Sequence, residues 1–106
     1  MTRITWDAAE NRMEFKGHAG GGEAGKDLIC AAVSTLMYTL IEAVGNHFEA
    51  LMPNIYMADG EASVSCSPGK GHKAVCWTIM ETVFTGCELL AKEYPEHVQA
   101  IKLQEG

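Results

Sequence analysis

Between Gly17 and Ser34 the chain reads GHAGGGEAGKDLICAAVS, and this stretch holds its densest chemistry. Five of the eleven glycines fall between Gly17 and Gly25, with His18 on one side and Asp27 and Cys30 on the other. Glycine loses more backbone freedom on folding than any other residue, so such a run calls for a backbone that must move or approach a ligand closely. Gly20, Gly21, Gly22 and Gly25 are therefore read as a flexible loop over a substrate. Asp27 suits the N-cap of a helix starting at Leu28, which puts Cys30 in the first turn. The positive end of the helix dipole there favours thiolate, the nucleophilic form of the side chain. His18, folded back across the glycines, would serve as the proton acceptor of a Cys–His pair. Asp27 has two compatible roles, capping the helix and orienting the His18 ring.

Two nucleotide-binding patterns overlap the same residues. Gly20 to Lys26, GGGEAGK, satisfies the G-x-x-x-x-G-K part of a phosphate-binding loop, but Asp27 stands where Ser or Thr is required, and Glu23 would point charge at the phosphates. Gly20, Gly22 and Gly25 also spell G-x-G-x-x-G, whose dinucleotide site needs a parallel βαβ unit that a long helix leading into a hairpin does not supply. A nucleotide-binding module working through Lys26 is the weaker alternative. A non-enzymatic ribosome-associated adaptor, which would not need Cys30, is another.

Gly17-His18-Ala19-Gly20 and Asp27-Leu28-Ile29-Cys30-Ala31-Ala32-Val33-Ser34 together resemble the two motifs of the ribosomal-processing cysteine protease family, small bacterial proteins of similar length and element order. The resemblance implies that Cys30 is the nucleophile and His18 its general acid/base. It also implies a substrate, the N-terminal extension of a bacterial large-subunit ribosomal protein, and a homodimer. Residues 1–106 would then be one cysteine protease domain. The chain departs from the family in the loop, with Gly21 or Gly22 where many relatives carry an aromatic and Ala24 near another bulky position. Substrate preference is where that difference should act.

Composition narrows the remaining classes. A chain of 106 residues supports a single core. Its formal net charge of −6 and scattered Lys and Arg argue against nucleic acid as a direct partner. A basic segment, such as a ribosomal protein tail, would be attracted instead. The N-terminal MTRITWDAAE lacks the pattern of a signal peptide, and no run is expected to reach the roughly 18 apolar residues of a membrane span. The cytoplasm is the expected compartment. Cys30, Cys66, Cys76 and Cys87 form no CxxC pair and no zinc spacing, so neither metal nor cofactor is implied. His47, His72 and His97 lack ligand spacing.

The elements that must hold these residues can be read in order. Ile4 and Trp6, then Met13 and Phe15, alternate with polar neighbours and predict a hairpin. From Asp27 to about Ala50, Ile29, Val33, Leu36, Met37, Leu40, Ile41, Val44 and Phe48 recur at helical spacing, with Gly45 and Asn46 weakening the last turns. Ile55 and Met57, then Ala62, Val64 and Cys66, alternate around Asp59-Gly60 as a second hairpin. A helix from about His72 to Glu93 carries Cys76, Met80, Val83, Phe84, Cys87 and Leu90 on one stripe, and His97 to Leu103 suits a short strand. The order β-β-α-β-β-α predicts a two-layer α+β domain: an antiparallel sheet of two hairpins with both helices on one face. Met52 and Met57 are candidates for a substrate groove.

Overall fold

The computed structural model describes residues 1–17 and 24–103, and for residues 24–27 the backbone only. The first hairpin is β1 (Thr2–Asp7) and β2 (Arg12–Lys16), in register from Arg3 opposite Lys16 to Asp7 opposite Arg12. Asn11 closes its turn with φ 52°, a left-handed conformation that Asn tolerates better than most residues. The backbone N–H of Glu10 donates to Asp7 Oδ1 across the same turn. Two helices follow, α1 (Ala24–Gly45) and the single turn α2 (Phe48–Leu51). The second hairpin is β3 (Asn54–Ala58) and β4 (Glu61–Ser65), joined by Asp59-Gly60, of which only Gly60 takes a positive φ, 71°. The chain then forms α3 (Lys73–Glu93) and β5 (Val98–Leu103).

The five strands make one sheet in the order β3-β4-β2-β1-β5. The α+β architecture matches the sequence reading, with one addition. The last strand runs parallel to β1, pairing Thr2 with Val98 through Asp7 with Leu103, so the sheet is mixed. The two hairpins join antiparallel through β2 and β4.

Alternation decides the faces. Thr2, Ile4 and Trp6 on β1, Met13 and Phe15 on β2, and Ala62 and Val64 on β4 are buried. They form one core with Ile29, Val33, Leu40 and Val44 of α1, Leu51 of α2, and Cys76, Met80, Val83, Phe84 and Cys87 of α3. At about 25 cal/mol per Å² of apolar surface removed from water, each fully buried large side chain contributes roughly 1.5–3 kcal/mol, which makes this core the main stabilising feature. Trp6 packs with its ring centroid 5.5 Å from Trp77 and 5.6 Å from Phe84, and Lys102 Nζ lies 4.7 Å from its centroid. The opposite face carries charge: Arg12 bridges Asp7 and Glu14, and Lys16 bridges Glu14 and Glu61, at 3.5–3.9 Å. Pairs this long and solvated add little stability.

Three details correct the sequence reading. Helix α1 begins at Ala24 rather than Leu28, so Gly25, expected in the loop, and Asp27, expected as N-cap, both lie in its first turn. Ala24 is the best helix former, and a carboxylate at residue 27 remains favourable within the first turn, so the helix extends further than a cap at 27 would allow. The long helix also divides, because Gly45 and Asn46 interrupt it before α2, whose C-cap Met52 is left-handed with φ 44°. Finally, Leu28–Gly45 and Lys73–Glu93 are long and apolar enough to cross a membrane by length and composition alone. Leu, Ile, Val, Met, Ala and Cys keep these stretches apolar on average although Ser, Thr and charged residues break every long apolar run, and each helix buries its stripe in the core.

Candidate active site

Cys30 is the seventh residue of α1, half-buried and packed against the core. It therefore stands a turn beyond the first turn, where a helix dipole acts most strongly. Val33 and Ser34 follow at i+3 and i+4, so the three share one helix face, with side chains inclined toward the helix N-terminus. Val33 and Ser34, with Met37 one turn on, form one wall of a cavity of about 160 Å³. The facing wall comes from the second hairpin: Met57, Ala58, Gly60, Glu61 and Ala62. Thr2, Phe15 and Gly17 complete the lining.

Gly17 reaches this place through a specific backbone arrangement. It follows the last residue of β2 with φ 94°, and its N–H donates to the Gly60 carbonyl at 2.8 Å. That bond ties the chain just before His18 to the turn of the second hairpin. A Cβ at residue 17 would land on the Met1 carbonyl oxygen, so this path accepts glycine alone. Gly17 thus borders one groove with Val33 and Ser34 of α1, one helical turn after Cys30, while Ala62 turns inward from the hairpin wall and the Glu61 carboxylate pairs with Lys16 on the other face of the sheet.

The other cysteines occupy different surroundings. Cys66, Cys76 and Cys87 are buried. Burial pushes the Cys87 thiol up to about 12, with the Glu88 charge adding to the effect. Among the described residues, no three His, Cys, Asp or Glu side chains are grouped to hold a metal ion.

The model of the family described as cysteine protease Prp matches residues 1–99. The chain belongs to the Prp cysteine protease family. It is accordingly a peptide hydrolase that uses a cysteine nucleophile. Solved structures give the same fold. SMU.848 from Streptococcus mutans is 27% identical with a TM-score of 0.73, covering 98% of this chain and 93% of its own. The S. aureus ribosomal processing protease Prp has been solved with a covalently linked product peptide, at 19% identity, and with a substrate peptide, at 18%. Both of those structures have a TM-score of 0.79 and cover 97% of this chain and 100% of their own. A search of curated proteins finds no match.

Of the site residues read from the sequence, the structure places Cys30 half-buried in α1, one turn before the groove-lining Val33 and Ser34, and Gly25 and Asp27 in the first turn of that helix. His18, Gly20, Gly21 and Gly22 lie outside the described residues, as does the side chain of Asp27. Met57 lines the groove, whereas Met52 is the exposed C-cap of α2 and contributes nothing to it. Sequence reasoning passed over Gly60, Glu61 and Met37. Gly60 was visible only as a turn residue and Met37 only as part of a core stripe. Their place at the groove follows from β4 pairing with β2, which no local pattern announces.

Proposed function

We propose that the chain is an endopeptidase that removes the N-terminal extension of a bacterial large-subunit ribosomal protein, using Cys30 as nucleophile and His18 as general acid/base. The observation that carries this reading is the convergence of the two motifs on one groove: Gly17, the residue before His18, lines it, and Cys30 stands on the helix face that walls it. The S. aureus relative is a ribosomal processing protease solved with peptides. A groove lined by Phe15, Val33, Met37 and Met57, in a chain of net charge −6, favours a segment that combines apolar and basic side chains.

In the proposed reaction the Cys30 thiolate attacks the scissile carbonyl, and the resulting oxyanion is held by backbone N–H groups near the start of α1 or in the glycine loop. His18 protonates the departing amine, leaving an acyl-enzyme on Cys30. It then takes a proton from water, whose attack on the thioester releases the excised N-terminal extension as its carboxylic acid, and returns that proton to restore the thiol. Asp27 orients the His18 ring. The reaction takes place in the cytoplasm. The protein works as a homodimer paired through the outer face of α1, where Ser34, Thr35, Tyr38, Thr39, Glu42, Ala43 and Asn46 border an open groove of about 540 Å³.

Incubating the ribosomal precursor with wild-type and Cys30→Ala protein, and weighing the products by mass spectrometry, tests the reading. Wild type should release one N-terminal peptide, and Cys30→Ala should release none while still binding the precursor. His18→Ala should slow cleavage by about 10²–10⁴-fold, the usual worth of a general acid/base. Cleavage by Cys30→Ala at the wild-type site would refute the nucleophile assignment. A monomer mass by light scattering would refute the dimer.

A further inference from the structure

The sheet ends on one side at β3, and the outer edge of that strand is open. Among the described residues β4 is its one strand neighbour, and Asn54, Ile55, Tyr56, Met57 and Ala58 are all exposed. The phase of the ladder decides which backbone groups point outward, because bonded and non-bonded pairs alternate between antiparallel strands. The Gly17 N–H donates to the Gly60 carbonyl and the Cys66 N–H to the Asn11 carbonyl, so Gly60, Ala62, Val64 and Cys66 turn their backbone groups toward β2. Glu61, Ser63 and Ser65 therefore bond to Ala58, Tyr56 and Asn54. The N–H and C=O groups of Ile55 and Met57 are left pointing away from the sheet.

We propose that this edge binds the backbone of the substrate: an extended polypeptide segment with apolar side chains at alternate positions adds to β3 as a further strand, which leads it into the groove. The assignment rests on the proposed peptidase function and adds the subsite that holds the substrate main chain. Edge strands are commonly guarded against foreign strands by charge, proline or a bulge. β3 has none of these and keeps register with β4 along its whole length, while Pro53 and Asp59 lie just beyond its ends. The opposite edge strand, β5, carries Lys102 and buries Val98.

The open edge also runs into the groove. Met57 and Ala58 line it, across from Val33, Ser34 and Met37 of α1. A strand laid along β3 thus arrives, at its Met57 end, between the second hairpin and the helix that carries Cys30. Ile55 and Met57 pair with the buried Val64 and Ala62, so they share a sheet face with the core, yet both remain exposed; Tyr56 pairs with Ser63 on the other face. Every second side chain of an added strand would stand beside Ile55 and Met57 and bury apolar surface there. Main-chain bonds then give affinity, and the alternate side chains give specificity. A second copy of the chain on the same edge would cover the approach to the groove, so substrate is the occupant that fits.

The test uses the full-length chain, a synthetic peptide spanning the processing site of the ribosomal precursor, and copies of that peptide each N-methylated at one residue. Methylation removes one N–H and adds bulk to the backbone without changing a side chain. Only every second residue of an added strand bonds to β3, so KM should rise at alternate positions, by roughly 2–10-fold per lost bond, with kcat little changed away from the scissile bond. Ile55→Pro removes an outward N–H and spares the ladder to β4, so KM should rise by a similar factor while the melting midpoint stays near that of wild type. A methylation profile without alternation, or an unchanged KM in folded Ile55→Pro, overturns the proposal. If the same variant also loses its dimer by light scattering at unchanged KM, the edge belongs to a second copy. Failure of wild type to cleave the unmodified peptide overturns the ribosomal-protein reading and this assignment with it, whereas cleavage without alternation overturns this assignment alone. Should Ile55→Pro fail to fold, the methylation profile decides.

Discussion

Four cysteines of one chemical type sit in unlike surroundings, and reactivity should follow the surroundings. Cys30 is half-buried, whereas the other three are buried. A limiting alkylating reagent near neutral pH should therefore modify Cys30 first, and His18→Ala should slow that step; equal labelling of all four, read by peptide mass, would contradict the dyad. Cys87 carries a separate prediction about alkaline stability. Its folded-state pKa is raised from 9.0 to about 12, so between those values the unfolded chain has released a proton that the folded chain retains. The unfolded state then binds fewer protons, and stability falls as pH rises through that window, by at most about 1.4 kcal/mol per pH unit from this group. Below pH 9 the effect is absent. Urea midpoints measured from pH 8 to 11 should decline less in Cys87→Ala than in wild type, and parallel declines would remove Cys87 as the cause.

Much of the element-level structure was legible because periodicity reports which face of an element is buried. The alternation of Ile4 with Trp6 and of Met13 with Phe15 located the first hairpin, and the stripe from Cys76 to Cys87 located α3, because these residues meet one continuous core. Boundaries set by local backbone geometry were less legible: the start of α1 depended on whether Asp27 caps or continues the helix, and both choices suit the same residues. The groove was least legible, since Gly60 and Glu61 reach Gly17 and Ser34 only through pairing of β4 with β2. Gly17 shows how tightly that junction is built. Gly17→Ala must accept a φ of 94° and push its methyl against the Met1 carbonyl, which should cost about 1–3 kcal/mol by backbone strain alone. Moving Gly17 also disturbs the bond to Gly60, so turnover should fall together with the melting midpoint. Wild-type stability and turnover in this variant would show that the Gly17 conformation is dispensable.

Over the whole molecule, the sheet is completed by its most distant strand. Val98 is buried in the core, β5 covers the outer edge of β1, and the Thr2 N–H donates to the His97 carbonyl at 2.8 Å. Deleting residues 98–106 removes that packing and leaves β1 as an open edge, so cooperative thermal unfolding should be lost; a sharp wild-type transition in the truncated chain would show β5 to be an accessory. The same closure governs how the protein emerges during synthesis. At about 5–20 residues per second, β1 waits roughly 5–20 s with one side unpaired before its neighbour exists. Arg3 and Asp7 place charge along that waiting strand, a common guard against pairing with other chains. Thr2 also lines the groove walled by α1, and the backbone bond that anchors it is accepted by the carbonyl of residue 97. A nascent chain still short of that residue has all its motif residues but an unanchored groove wall, so peptidase activity should begin only once almost the whole polypeptide has been translated.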